Sequence, residues 1–275
     1  MILLNLLHTL ELQLKDAGIE SARLDAEILL CHALGLKRYQ LVTDSQIEMA
    51  LDDIALCEKL LSRRIAREPV AYITGKKEFY GLDFYVDNRV LIPRPDTEIL
   101  VELALMHAPL HGTVLDICTG SGAVAIAMKH ERPDLVVTAT DISADAIAVA
   151  EMNAQILVRS AIRLLESDLF NAVMSERFDI ITANPPYVDA VLKGSLQKEL
   201  DHEPDIALYV QDNGMKVIKK IIDALPDMLR PGGMLFMETG FDQGSEVLKL
   251  CIDRGLKCET KQDLSDHDRV AIIGL

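Results

Sequence analysis

The run Val114-Leu115-Asp116-Ile117-Cys118-Thr119-Gly120-Ser121-Gly122 restricts this chain to a narrow choice of folds. An apolar stretch that ends in an acid, then small and glycine residues, then the helical pattern Ala123, Ala125, Ile126 and Ala127, reads as a first strand, a tight loop and a helix N-terminus. Glycines let a backbone approach a ligand closely, and the free N–H groups of a helix start can bond its polar groups. A second apolar run, Leu135 to Thr140, closes on Asp141, nineteen residues after Gly122. In a doubly wound sheet an acid at that place accepts from ribose hydroxyls. An adenosine-type ligand is implied.

The glycine pattern does not meet the dinucleotide fingerprint, which needs a further glycine where Ala125 stands, and no Gly-Lys-Ser/Thr follows to make a phosphate loop. Asp116 beside the turn would repel a pyrophosphate and attract a cation such as the sulfonium of S-adenosyl-L-methionine. That methyl donor is therefore the expected cofactor, with Asp116, Cys118, Thr119, Gly120, Ser121 and Gly122 around its turn and Asp141 at its ribose.

Farther along, the strand Phe178 to Thr182 feeds into Asn184-Pro185-Pro186-Tyr187. An Asn side-chain oxygen and a proline-fixed backbone carbonyl can each accept one hydrogen of a planar –NH2 group while an aromatic ring packs on its flat face. These four residues read either as that clamp or as a rigid turn. The donor site upstream favours the clamp, with Asn184, Pro185 and Tyr187 as the catalytic candidates, Pro186 completing the substrate pocket and Asn184 also bordering the cofactor. Ligands in open α/β sheets sit beyond the carboxyl ends of strands, and the glycine turn, Asp141, Ser167-Asp168 and Asn184 all fall at such ends. Asp168 reads either as the partner of an adenine amino group, with Leu169 or Phe170 covering the ring, or as an ordinary turn acid.

Residues 1 to about 68 read as helices: 2–16, 21–34 capped by Ser21 and stopped by Gly35, and 46–67. Leu3, Leu6, Leu7, Leu10 and Leu14 recur at the spacing of an amphipathic core helix, and the opening apolar run lacks the basic n-region and cleavage site of a signal peptide. No nucleophile, acid cluster or ligand set occurs there, so this module serves stability or the recognition of a macromolecular substrate. Arg63, Arg64 and Arg67 read as a solvated helix face. Alternation from Tyr72 to Val90 reads as a hairpin, dividing the chain into a helical substrate-recognition domain at 1–74 and a catalytic domain at 75–275, with the linker hairpin at about 75–90. Pro95 suits an early helical position before Ile99, Leu100, Leu103 and Ala104. Arg94, Asp96, Thr97 and Glu98 would then cluster at that helix start, as a cap or as part of the cleft. The expected remainder is helix 143–154 begun by Ser143, a strand at 162–165, helix 214–225, a Pro231-Gly232-Gly233 turn into strand 234–238, helix 244–253 and strands 256–260 and 269–274. The polar stretch 188–205 shows no obvious element and reads as a mobile lid or protein-contact loop.

Charge bears on partners. The net charge is −15; residues 1–74 carry 8 basic and 11 acidic side chains, a balance of −3, and residues 75–275 carry 20 and 32, a balance of −12. No basic stripe exists to hold a phosphate backbone, so direct nucleic-acid binding is not expected. Cys31, Cys57, Cys118, Cys251 and Cys258 form no C-x-x-C pair, and among the seven histidines only His107 and His111 have H-x-x-x-H spacing, with Pro109 between them. A disulfide framework and a metal site are not expected, and a reducing cytoplasm is the expected location, with no membrane partner.

Leu91-Ile92-Pro93-Arg94-Pro95-Asp96-Thr97-Glu98, the Asp116–Gly122 turn, Glu203-Pro204 with Ala207-Leu208, Asn184-Pro185-Pro186-Tyr187 and Asp268-Arg269-Val270 together resemble the peptide chain release factor glutamine methyltransferase family (HemK/PrmC type) over nearly the whole chain. The resemblance implies a Rossmann-like, seven-stranded α/β fold with a small N-terminal helical domain. It also implies methyl transfer from S-adenosyl-L-methionine to the side-chain nitrogen of the Gln in the Gly-Gly-Gln loop of release factors, a step in translation termination. The family's turn positions fall on residues 118–122, its ribose acid on Asp141, its adenine-side pair on Asp168 and Leu169, and its substrate pocket on Asn184 to Tyr187. Two departures stand out. Cys118 replaces a common Gly, which is harmless if this position does not need positive φ, and Leu169 replaces a common aromatic. Alternatives are N5-glutamine methylation of another protein such as a ribosomal protein, amino-directed methylation of a flipped nucleic-acid base, and a non-enzymatic binding module.

Overall fold

The computed structural model describes residues 1–158, 160–263 and 266–275. The chain forms two compact units, a helical one of residues 1–76 together with 197–202 and an α/β one of residues 77–196 and 203–275.

The helical unit contains α1 (Leu3–Asp16), α2 (Ala22–Leu34), α3 (Gln40–Thr43), α4 (Leu51–Ile65) and α5 (Val70–Thr74). The five leucines of the α1 stripe are buried against Ile19, Ala26, Leu30 and Leu61, as their spacing requires. Several expectations need correction. Ser21 sits at the start of α2, but its side chain makes no capping bond, whereas Gly35 does end the helix in the left-handed region. The third helix begins at Leu51, not 46, and the single turn α3 was unread. Tyr72 lies inside α5 rather than in a hairpin.

Arg63 and Arg64 in the last turn of α4 and Arg67 just beyond it are not a solvated face. Arg64 is 6% exposed, its Nε donating to Asp25 Oδ2 at 2.7 Å and its Nη1 to Glu199 Oε1 at 2.9 Å. Arg67 donates to the carbonyls of Ala17 and Gly18, and Arg63 pairs with Glu68. The paired acids Asp25 and Glu199 are distant in sequence, so helical periodicity alone could not reveal this burial.

The α/β unit opens with a hairpin of β1 (Lys76–Phe79) and β2 (Leu82–Tyr85), Lys76 being the last residue of the helical unit's first segment. It continues with α6 (Thr97–His107), β3 (Thr113–Ile117), α7 (Ala123–Glu131), β4 (Val136–Asp141), α8 (Ala144–Leu157), β5 (Arg163–Glu166) and β6 (Phe178–Ala183). After β7 (Val188–Asp189), α9 (Asp205–Leu208) and β8 (Tyr209–Val210) come α10 (Lys216–Met228), β9 (Leu229–Glu238), α11 (Gly244–Asp253), β10 (Lys257–Gln262) and β11 (Asp268–Gly274). Seven strands form one sheet in the order β10-β11-β9-β6-β3-β4-β5, parallel except for β11, which runs antiparallel to both its neighbours. The Rossmann-like α/β class expected from the sequence is the class found.

Strand order reverses at β3: β4 and β5 lie on one side, β6 and β9 on the other. The carboxyl ends of β3 and β6 therefore meet at a switch point, where such folds bind ligands. Pleating assigns the faces. Leu115, Ile117, Ile181, Leu235 and Met237 pack with Ile218, Ile222 and Leu225 of α10 in the main core. Asp116, Thr182 and Glu238, at alternate positions, belong to the opposite face.

Local differences in this unit have physical causes. Pro95 precedes α6 in a turn, and the cluster expected at the helix start disperses: Arg94 pairs with Glu203, Thr97 with Glu238, Asp96 with Arg269, and Glu98 with the Tyr80 N–H. Ser143 caps α8 as expected, accepting from the Ala146 N–H, but the helix runs on to Leu157. Helix α10 is offset to Lys216–Met228. Pro231-Gly232-Gly233 is an irregularity within β9, since Phe178 pairs with Leu229 and Ile180 with Met234, rather than a turn before it. The stretch 188–205 is not structureless: β7 pairs with β8, and short 3-10 turns occupy Ala190–Leu192 and Lys198–His202.

Removing one partner of a buried ion pair leaves the other charge uncompensated, so Arg64→Ala should destabilise the helical unit by about 3 kcal/mol or more. Arg63→Ala, at a more exposed pair, should change stability by about 0.5 kcal/mol or less. Denaturant midpoints of the two variants check this, and equal small shifts would show that the Arg64 network is not closed to water.

Candidate active site

The ends of β3, β4, β5 and β6 border a cavity of about 240 Å³. Asp116, Cys118, Thr119, Gly120 and Ser121 line it from the first turn, Asp141 from the second strand end, Asp168 and Leu169 from the third, and Asn184 and Pro186 from the fourth. Gly122, Pro185 and Tyr187 are not among its lining residues. Gly122 serves the turn differently. It has φ +81°, and a Cβ there would come within 2.8 Å of Ile126 and 3.2 Å of Ala150, so the position suits only glycine.

Asp116 is 2% exposed, and its oxygens accept hydroxyls from Thr119 at 2.6 Å and Thr182 at 2.7 Å. Burial pushes its carboxyl up to about 6, held back by those two hydroxyls. Asp141 accepts the Gly120 N–H at 2.9 Å and the Ser143 N–H at 3.0 Å, and burial raises its pKa as well. It thus holds the glycine turn from the neighbouring strand while lining the cavity. Asn153, 1% exposed, bonds both backbone groups of Tyr85 and the Ser121 carbonyl, tying hairpin, α8 and turn together.

Both departures from the family pattern lie in the left-handed region. Cys118 has φ +58° and Leu169 φ +51°. The condition under which Cys118 would be a harmless replacement, that position 118 not need positive φ, is therefore not met; with this bend the Thr119 N–H reaches the Thr140 carbonyl at 3.0 Å. At Leu169 the strain is met by two hydroxyls, since Ser167 and Thr140 both donate to its carbonyl. Burial, with Asp141 and Asp116 near, raises the Cys118 thiol well above its ordinary value, which makes it a poor nucleophile.

At the fourth strand end, Asn184 Nδ2 donates to Thr97 Oγ1 at 3.3 Å, and Thr97 Oγ1 donates to Glu238 Oε2 at 2.6 Å. Tyr187 donates its hydroxyl to Glu238 Oε1 at 3.0 Å, and burial together with that carboxylate pushes the phenol pKa up. Gln243 Nε2 donates to the Tyr187 carbonyl at 3.0 Å. Gly214, at φ +81°, faces the same carbonyl, which would lie 2.0 Å from a Cβ there. Glu203, 6% exposed, accepts the Ile92 N–H at 3.1 Å and Arg94 at 2.6 Å, joining the Pro93 and Pro204 segments that also line the cavity. Glu238, Asn153, Gln243 and Gly214 were missed in the sequence. Glu238 carried a usable signal, being an acid that closes the apolar run Met234–Met237, as Asp116 and Asp141 close theirs.

This sheet, with acids at consecutive strand ends and an Asn-Pro-Pro-Tyr loop at the switch point, defines a methyltransferase domain, and residues 95–200 match the methyltransferase small domain family. A methyltransferase from Pyrococcus furiosus shares the fold, with TM-score 0.55 at 20% identity over 78% of this chain and 97% of that one. Residues 5–75 match the PrmC N-terminal domain family. The release factor glutamine methyltransferase of Geobacter sulfurreducens is 41% identical over 259 residues, covering 94% of this chain and 91% of that protein. Its Escherichia coli K12 counterpart is 40% identical over 255 residues, 92% of each. The chain belongs to the release factor glutamine methyltransferase family.

A left-handed non-glycine residue costs on the order of 1 kcal/mol, so Cys118→Gly should stabilise the α/β unit by roughly that amount. Cys118→Val, β-branched at the same φ, should destabilise it. Unfolding curves of both variants test the strain; a destabilising Cys118→Gly would show that thiol packing outweighs it.

Proposed function

We propose that this protein transfers a methyl group from S-adenosyl-L-methionine to the side-chain amide nitrogen (N5) of the glutamine in the Gly-Gly-Gln motif of peptide chain release factors, in the cytoplasm. The observation that carries the reading is Asn184: it lines the cavity while its –NH2 end is engaged by Thr97, which leaves its oxygen to accept from an incoming amide. Family membership supports a protein glutamine as that amide. The −15 net charge weighs against a nucleic-acid substrate. The helical domain, residues 1–74, is assigned to recognising the body of the release factor, since it holds no chemistry of its own.

The residues fit the donor. A buried acid at the glycine turn suits a cationic sulfur, Asp141 a ribose, and Asp168 with Leu169 an adenine edge and face. Bound there, S-adenosylmethionine supplies an electrophilic methyl group. A carboxamide nitrogen is a poor nucleophile because its lone pair is delocalised. Asn184 Oδ1 and the Pro185 carbonyl accept its two hydrogens and so orient that lone pair, in a pocket whose dipoles are already aligned. Tyr187 offers a flat surface to the amide. No general base acts in the transfer itself, because the nitrogen becomes strongly acidic only afterwards.

Asn184→Ala is expected to cut turnover by about 10² or more while changing donor affinity only about threefold, as for the loss of one preorganised polar partner. Near-normal turnover would exclude the clamp. The donor and a proton compete for Asp116, whose carboxyl sits at about 6. Above that pH the carboxylate attracts the sulfonium, and below it the neutral acid does not. Calorimetry should therefore show donor affinity falling as pH drops through that value, by up to about tenfold per unit, with a smaller fall for S-adenosylhomocysteine, whose sulfur is neutral. Parallel curves for the two ligands would remove Asp116 from the sulfonium. Labelled donor, cell extract and mass spectrometry of the labelled peptide identify the modified residue; label on any side chain other than glutamine would refute the assignment.

A further inference from the structure

A side-chain amide can be turned end for end with little change of shape, so a site that uses Asn184 as an acceptor must distinguish its oxygen from its nitrogen. Shape cannot do this, but hydrogen-bond polarity can. Asn184 Nδ2 stands 3.3 Å from Thr97 Oγ1, which stands 2.6 Å from Glu238 Oε2, and the other Glu238 oxygen takes the Tyr187 hydroxyl at 3.0 Å. Thr97 and Glu238 are 4% and 1% exposed, so bulk water does not compete for the bond between them.

An ionised carboxylate only accepts. The single hydrogen of Thr97 is then committed to Glu238, and its oxygen remains purely an acceptor. Only the –NH2 end of Asn184 can satisfy that oxygen, which turns the amide oxygen the other way. Reversal would set the Asn184 oxygen against the Thr97 oxygen with no proton between them.

We propose that Glu238 is a positioning residue for the methyl-accepting amide: through Thr97 it sets which end of the Asn184 carboxamide is presented to the substrate. The inference rests on the reading of Asn184 as the acceptor of the substrate's N–H. It also explains Thr97, which begins α6 yet spends its hydroxyl on Glu238 rather than on the helix. Burial pushes the Glu238 carboxyl up, while the hydroxyls of Thr97 and Tyr187 and the charge of Arg269 pull it back.

The test separates polarity from mere cross-linking. Thr97→Val keeps the shape and removes the hydroxyl; kcat should fall about tenfold or more with donor Kd within about twofold, and Thr97→Ser should recover kcat to within about threefold. Glu238→Gln, whose amide can donate to Thr97 and so reverse the relay, should lower kcat more than it changes KM for the release factor. Wild-type kcat in Thr97→Val, or a Thr97→Ser variant as impaired as Thr97→Val, overturns the proposal. If Asn184→Ala is inactive while Thr97→Val is fully active, the relay is wrong and the clamp stands. If Asn184→Ala is itself fully active, the clamp fails and the relay with it.

Discussion

The hydroxyl of Thr182 donates to Asp116 across the parallel pair β3–β6, and through that bond the two halves of the site share one anchor. Asp116 also takes the hydroxyl of Thr119, inside the turn that lines the donor side. Thr182 lies two residues before Asn184, at the acceptor side. A carboxylate buried to 2% exposure without such partners would cost several kcal/mol, so the strand ends are held in mutual register wherever that acid is charged. The arrangement recurs one strand away, where buried Glu238 gathers Thr97 from α6 and Tyr187 from the loop after β6.

The parts of this design that were legible in the sequence are those with a short-range signature. Strands that end in an acid, a glycine turn and helices with apolar stripes declare themselves within a dozen residues, so the sheet, its seven strands and the helices around it could be read, with errors at element ends. Glu238 has the same signature as Asp116, an acid that closes an apolar run and is followed by a Thr-Gly pair. What stayed hidden depends on partners far along the chain. Glu203 is buried because it meets Ile92 and Arg94, and Arg64 because it meets Asp25 and Glu199. The order within 188–205 arises from the pairing of Val188 with Tyr209 and of Asp189 with Val210. Cys118 and Leu169 illustrate a different limit. Neither side chain favours positive φ, so residue type argued for the opposite of what the hydrogen bonds of Thr119, Thr140 and Ser167 impose.

Part of the backbone strain and buried charge of this chain lies at the carboxyl ends of the strands for a reason. The core beneath, from Leu115 to Ile273, is closely packed apolar surface and resists deformation. Left-handed residues at 118 and 169 and buried acids at 116 and 238 lie at or next to strand ends, where that core can hold them. Such features are tolerated where the surrounding structure over-determines them, and they concentrate at functional sites.

The titratable groups nearest Asn184 bear on how the acceptor is activated. Tyr187 has its pKa raised and donates to Glu238, and Glu238 accepts from both Tyr187 and Thr97. Neither has a role left that matches a general base poised near neutrality, which should present an unshared lone pair to the reacting nitrogen. Their bonds run backwards, away from the substrate, and converge on the orientation of one amide and one ring. An amide nitrogen gains little from a base in any case, since its N–H is not acidic until the nitrogen has been alkylated. In the proposed reaction the obstacle is direction rather than proton affinity: the lone pair must leave conjugation with its carbonyl and face the methyl group. A set of acceptors whose polarity is set through a buried acid would address that obstacle without a reorganisation cost at the moment of transfer.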